Sequence, residues 1–148
     1  MPAPGSASEL RLFFLLQQAA HHLKREADRV LLDADDLTTA QAAVLLIVSG
    51  SRSITQKEVA RKLRLKESAM TAMIGRLEGR GLLARVPDPE DARARLVSIT
   101  PSGRKALDRA RRPFAKINAR LDAALGRAGA PRFARDLEAI LDAFRRDE

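Results

Sequence analysis

Apolar residues recur at helical spacing along most of the chain. Leu12, Leu16, Ala19, Leu23, Ala27 and Val30 fall three and four residues apart. They predict a long amphipathic helix from about Glu9 to Asp33, its stripe widened by Phe13, Ala20 and Leu31. At 1.5 Å per residue that helix is roughly 37 Å long, more than one small domain can cover. Thr38-Thr39-Ala40-Gln41 then has the form of a capping box, and Ala42 to Val48 is apolar nearly all round, the pattern of a helix at a core centre. Gly50 stands where a glycine commonly closes a helix.

The middle of the chain changes period twice. Thr55, with Glu58 three residues on, opens a helix over Gln56–Leu63. A break at Arg64-Leu65-Lys66 leads to a helix from about Glu67 to Arg80 with Met70, Met73, Ile74 and Leu77 inward, and Gly81 suits the left-handed position after it. Leu82 to Val86 reads as a strand, Pro87 to Asp91 as a turn, and Arg95 to Thr100 alternates as a second strand. Helix, turn, helix and hairpin form the order of a winged helix-turn-helix. A further stripe, Leu107, Ala110, Phe114, Ile117 and Leu121, predicts a helix from Pro101 to about Leu125. After a loop at Gly126–Ala130, Pro131 fits a first helical position, and Phe133, Leu137, Ile140, Leu141 and Phe144 line the last helix. The expected fold is mainly α with a small β-hairpin wing. Residues 36–100 form the winged helix-turn-helix domain, and a helical dimerisation domain is built from an N-terminal arm (1–35) and C-terminal helices (101–148).

Charge sharpens this division. The 148 residues carry 27 Lys and Arg against 19 Asp and Glu, a formal net charge of +8. Residues 1–50 hold 4 basic and 6 acidic side chains, residues 51–104 hold 12 and 6, and residues 105–148 hold 11 and 7. The positive surplus peaks on the central module, which suggests a polyanionic partner. Cysteine is absent, which excludes disulfides, thiolate zinc sites and thiol chemistry. No run approaches the 18 apolar residues of a membrane span, and the first residues lack a signal peptide's basic start and apolar centre, so a cytoplasmic location is expected. Catalysis would need a nucleophile with its base, a carboxylate pair in a cleft or a glycine-rich phosphate loop, and none is visible. The two histidines are neighbours and point about 100° apart on a helix, so they cannot share one ion. His22 with Glu26 supplies only two ligands, too few for a metal site, and no cofactor is implied.

The second helix of such a motif presents its outer face to a major groove. Here that face carries Lys66, Ser68, Ala69, Thr71, Ala72, Gly75 and Arg76. Small residues let the helix backbone approach base edges; Ser68 and Thr71 can bond bases or phosphates, the Thr71 methyl can meet a thymine methyl, and Arg76 can reach a phosphate or guanine. On the hairpin, Arg93 and Arg95 are placed to enter a minor groove, with Asp91 accepting from Arg93 or another Arg to hold the tip in shape. The two helical arms have more apolar face than so small a module can cover. Pairing across a two-fold axis would bury the surplus and set two recognition helices about 34–36 Å apart. Leu10, Phe13, Phe114, Phe133, Leu137, Ile140, Leu141 and Phe144 are the expected interface and its surroundings.

The run from Leu77-Glu78-Gly79-Arg80-Gly81 through Leu82-Leu83-Ala84-Arg85, and then Asp88-Pro89-Glu90-Asp91-Ala92-Arg93-Ala94-Arg95 to Gly103, resembles the MarR family of bacterial regulators. The long first helix, Leu37-Thr38-Thr39-Ala40-Gln41 and the two closing helices are similar to the family layout. One departure stands out. The family often has two adjacent arginines after the wing aspartate, and here Ala92 replaces the first while Arg93 keeps the second.

The resemblance implies a homodimeric regulator, usually a repressor, that binds a pseudo-palindromic operator on double-stranded DNA and is often released by a small ligand. The alternative is an architectural or sequence-tolerant DNA-binding protein without a ligand. Family members commonly bind anionic aromatic ligands between the dimer domain and the winged helix. The corresponding lining here would be Phe14, Gln18, His21, His22, Arg25 and Arg112. With no Trp or Tyr in the chain, such a ligand would have only Phe to stack on.

Overall fold

The computed structural model describes residues 7–144, with side chains from residue 11 onward apart from Asp35. The elements run α1 (Ala7–Asp35), α2 (Thr39–Ser49), β1 (Ile54–Thr55), α3 (Gln56–Leu63), α4 (Glu67–Gly79), β2 (Leu83–Pro87), β3 (Arg95–Ile99), α5 (Pro101–Leu125) and α6 (Gly129–Ala143). The chain divides into two compact units, Met1–Arg111 and Arg112–Glu148.

The first unit is a winged helix-turn-helix with one apolar core. Leu37, Val44, Leu45 and Val48 meet Val59 and Ala60 of α3, Met70, Ile74 and Leu77 of α4, and Leu83 and Val97 of the sheet. Ala106 and Leu107 bring the start of α5 into the same cluster. The C-terminal half of α1 is anchored too, with Ala27 and Leu31 buried, whereas Leu12 and Leu23 on the same stripe are exposed. Helix α2 is nearly all apolar, as its run predicts, yet Leu46 faces outward.

Local chemistry sets the boundaries. Thr38 and Thr55 each close a full capping box, with Gln41 and Glu58 respectively, and so satisfy backbone N–H groups that have no partner inside the helix. At the head of α5, Thr100 Oγ1 accepts from the Gly103 N–H (3.0 Å), and Pro101 fills the first helical position. Gly81 adopts the left-handed conformation expected of it (φ 71°). Gly50 does not, since α2 ends with Gly50 right-handed (φ −82°), so its glycine freedom is not used there. Helix α6 starts at Gly129, which makes Pro131 its third residue instead of its first.

The sheet holds one strand that no alternation announces. β1 is two residues long and pairs antiparallel with β3, Ile54 opposite Val97 and Thr55 opposite Leu96, giving the order β1-β3-β2. On the other side β2 pairs with β3 from Leu83 opposite Ile99 to Pro87 opposite Arg95. The wing is thereby tied to the residue that caps α3. In the second unit, the described part of α6 has no buried residue, although Phe133, Leu137, Ile140 and Leu141 form its apolar stripe.

Candidate nucleic-acid interface

Helix α4 is positioned by its inner face. Met70, Ile74 and Leu77 are fully buried and Met73 packs against the same core, so the opposite side of the helix faces out. Lys66, Ser68, Ala69, Thr71, Ala72 and Arg76 are all exposed, and Gly75 is half-buried. The turn before α4 depends on Arg64, held left-handed at φ 54°, while the Leu65 N–H donates to the Ala60 carbonyl at 3.0 Å. A non-glycine residue in that region is uncommon, and no local sequence signal announces it.

The outer face is less free than its exposure suggests. Thr71 Oγ1 donates to the Glu67 carbonyl (2.9 Å) and accepts from Gln56 Nε2 (2.5 Å). Gln56 Oε1 in turn accepts a long bond from Arg85 (3.5 Å), whose Nε donates to Glu78 (2.6 Å). Neither Gln56 nor Arg85 carries a short-range motif. Gln56 finds its partners 15 and 29 residues away and Arg85 reaches Glu78 across 7, so only the fold brings them together.

The wing tip is shaped by carboxylates that accept from the backbone. Asp88 accepts from the Glu90 N–H, and Asp91 from the Arg93 N–H, each at 2.9 Å. Asp91 therefore holds the tip in shape through the Arg93 backbone, leaving the exposed Arg93 side chain to project. A groove of about 450 Å³ lies between the wing and the helix pair, lined by Thr55, Gln56, Lys57, Glu67, Asp88, Asp91, Arg93, Ala94 and Arg95. Glu58 is held below the ordinary carboxylate pKa by the backbone and then the side-chain hydrogen bonds of Thr55, so it stays charged as the cap of α3.

Of the expected ligand lining, Phe14, Gln18, His21 and His22 come together. With Gln17 and Ala20 they border a groove of about 510 Å³ along α1. Arg25 does not line it, and Arg112 belongs to the second unit. Glu26, the suggested second ligand beside His22, accepts from both the Nε and an Nη of Arg29 (3.1 and 3.0 Å). Among the described residues no three His, Asp or Glu side chains converge as metal ligands. No helix among them is long and apolar enough to cross a membrane. Of the expected interface residues, Phe13, Phe133, Ile140, Leu141 and Phe144 are exposed and Phe114 and Leu137 half-buried; the Leu10 side chain lies outside the described residues.

The MarR family model matches residues 37–94, the stretch from Leu37 to the wing. A transcriptional regulator of the helix-turn-helix type from Bacillus cereus is 35% identical over 106 residues, covering 72% of this chain and 67% of that protein. The chain belongs to the MarR family. The transcriptional activatory protein BadR of Rhodopseudomonas palustris is 41% identical over 97 residues, 64% of this chain, and that match spans 55% of BadR's length. The structure of the transcriptional repressor CouR bound to a 23-mer DNA duplex superposes with a TM-score of 0.84 at 31% identity, covering 95% of this chain and 99% of that one. The family match ends at Ala94, just past Arg93, so it includes the single arginine that follows Asp91 and Ala92.

Proposed function

We propose that this MarR-family protein is a homodimeric, sequence-specific DNA-binding regulator of transcription. Residues 36–100 read the duplex, and residues 1–35 with 101–148 hold the dimer. The observation that carries this reading is the division of α4, whose inner face is sealed in the core while its outer face of small residues and Arg76 stands exposed, and whose Glu67 borders a groove shared with the wing residues Arg93 and Arg95. Such a surface suits a major groove, and the exposed Arg93 and Arg95 suit the adjacent minor groove or phosphates. CouR, seen on a duplex, is a repressor and BadR an activator, so the fold serves both signs of regulation; repression is the reading we adopt here.

The α1 groove is the effector site in this reading. Phe14 offers a ring for stacking, and an imidazole N–H of His21 or His22 suits an anionic oxygen. The expected ligand is a small aromatic carboxylate.

The test is selection of bound duplexes from a random pool at two salt concentrations, followed by sequencing. Recovery of an inverted repeat with half-sites one helical turn apart is expected. Uniform recovery with salt dependence alone would overturn sequence-specific regulation in favour of an architectural role. Titrating aromatic carboxylates against the recovered duplex then tests the effector site, and release should be lost on replacing Phe14 by Ala.

A further inference from the structure

Thr71 sits exposed on the outer face of α4, yet its hydroxyl proton is already committed. The direction of the hydroxyl's bonds is set from both ends, by the Glu67 carbonyl, which can only accept (2.9 Å), and more weakly by Arg85 on the wing strand (3.5 Å). Arg85 can only donate, so the Gln56 amide turns its oxygen to Arg85 and its NH₂ to Thr71. The Thr71 hydroxyl then accepts from Gln56 and must send its own proton elsewhere, and the Glu67 carbonyl one turn back receives it. Glu78, bonded to Arg85 Nε, holds the start of this chain. The relay runs from the end of α4 through β2 and α3 back to the middle of α4. A threonine in a helix ordinarily shares two rotamers; this one is pinned. What remains of the side chain for a duplex is its methyl group and one hydroxyl lone pair, with no proton left to give to an acceptor such as the thymine O4.

We propose that Thr71 reads a thymine through its methyl group and that Gln56, oriented by Arg85, is the positioning residue that presents it. The inference rests on the DNA-reading function proposed above and names a specificity determinant within it. In the major groove only thymine offers a C5-methyl, so an apolar contact there separates T from C, A and G. A freely turning hydroxyl would instead bond several bases about equally.

The test uses the duplexes that the wild-type protein recovers from the random pool, with each thymine replaced in turn by deoxyuridine, which removes the methyl alone. One thymine per half-site is expected whose replacement weakens wild-type binding about four-fold, the worth of one buried methyl. Thr71→Ser keeps the hydroxyl and both its bonds, and it should bind the thymine and uracil duplexes equally. Gln56→Ala leaves the methyl but releases it, so the preference should fall toward one. The preference is a ratio of two duplexes on one protein sample, so a loss of folded protein cancels. Indifference of the wild-type protein to every replacement would overturn the thymine contact, as would a Thr71→Ser variant that keeps the preference. A Gln56→Ala variant with the full four-fold preference would overturn the positioning role. Failure to recover any preferred duplex would remove the DNA-reading function itself, and this inference with it.

Discussion

Gly103 and Arg93 are single residues on which, respectively, packing and DNA contact can be tested. A Cβ built on Gly103 would lie 2.0 Å from the Leu82 carbonyl oxygen and 2.8 Å from Ile99 Cγ1. That same carbonyl accepts the Thr100 N–H at 3.1 Å, so neither backbone can retreat without losing the cap of α5. Gly103→Ala is therefore expected to destabilise the protein by about 3 kcal/mol, the upper range for overpacking, seen as a lower urea midpoint with an unchanged slope. On the wing, Arg93 has its backbone fixed by Asp91 and its side chain exposed. Arg93→Ala should weaken operator binding and lower the salt slope by about one for each half-site, as for a lost groove or phosphate contact. An unchanged salt slope would take Arg93 out of the interface.

Between elements, the joint of α1 with α2 carries a pH dependence. Partial burial pushes the Asp28 carboxyl up, but hydrogen bonds from the Lys24 side chain and from the Thr39 side chain and N–H outweigh it, and its pKa lies below the ordinary 3.8. A carboxylate with a lowered folded pKa contributes stability that is complete above its unfolded value and is lost as pH falls through the folded one. Asp28→Asn should thus cost about 1–2 kcal/mol at pH 7, the worth of hydrogen bonds to a charged group. Its difference from wild type should shrink below pH 3.8 in denaturant titrations. A difference that stays constant from pH 7 to pH 3 would show that the charge is not what joins the helices. This joint also marks where sequence patterns stop being informative. The two capping boxes and the inner face of α4 are local, within four residues, and could be read directly. The Asp28–Thr39 contact spans 11 residues, and the strand β1 has only two residues in which to show a period. Arg64 takes a left-handed turn for which glycine is the usual marker. The site divides in the same way: the exposed residues of α4 follow from its buried ones by helical period, whereas the Gln56–Arg85 support is a product of tertiary packing.

At the scale of the molecule, the apolar surface decides the assembly. Helix α6 buries none of its described residues, and Phe144 is 81% exposed; on α1, Leu12 and Phe13 are 61% and 54% exposed. Each leucine or phenylalanine withdrawn from water stabilises an assembly by about 1.5–3 kcal/mol, so leaving these apolar faces of α6 and the first half of α1 bare is costly, whereas a second copy offers the same faces in return. Replacing Leu137 and Leu141 together by Glu places two charges on the α6 stripe, and neither leucine belongs to the apolar core cluster. The expected result is a monomer by sedimentation whose circular dichroism still shows the helices. On DNA the same variant should lose the benefit of two linked half-sites. An operator with both half-sites would then bind no better than one, a drop of about a hundredfold or more, because the second contact is no longer intramolecular. The contacts proposed for Thr71 and Arg93 would each be made by one copy, so the preference for thymine over uracil should survive on a single half-site. Dimers that persist in this variant would move the interface away from α6. A monomer that still bound the full operator at wild-type strength would instead separate dimerisation from operator recognition.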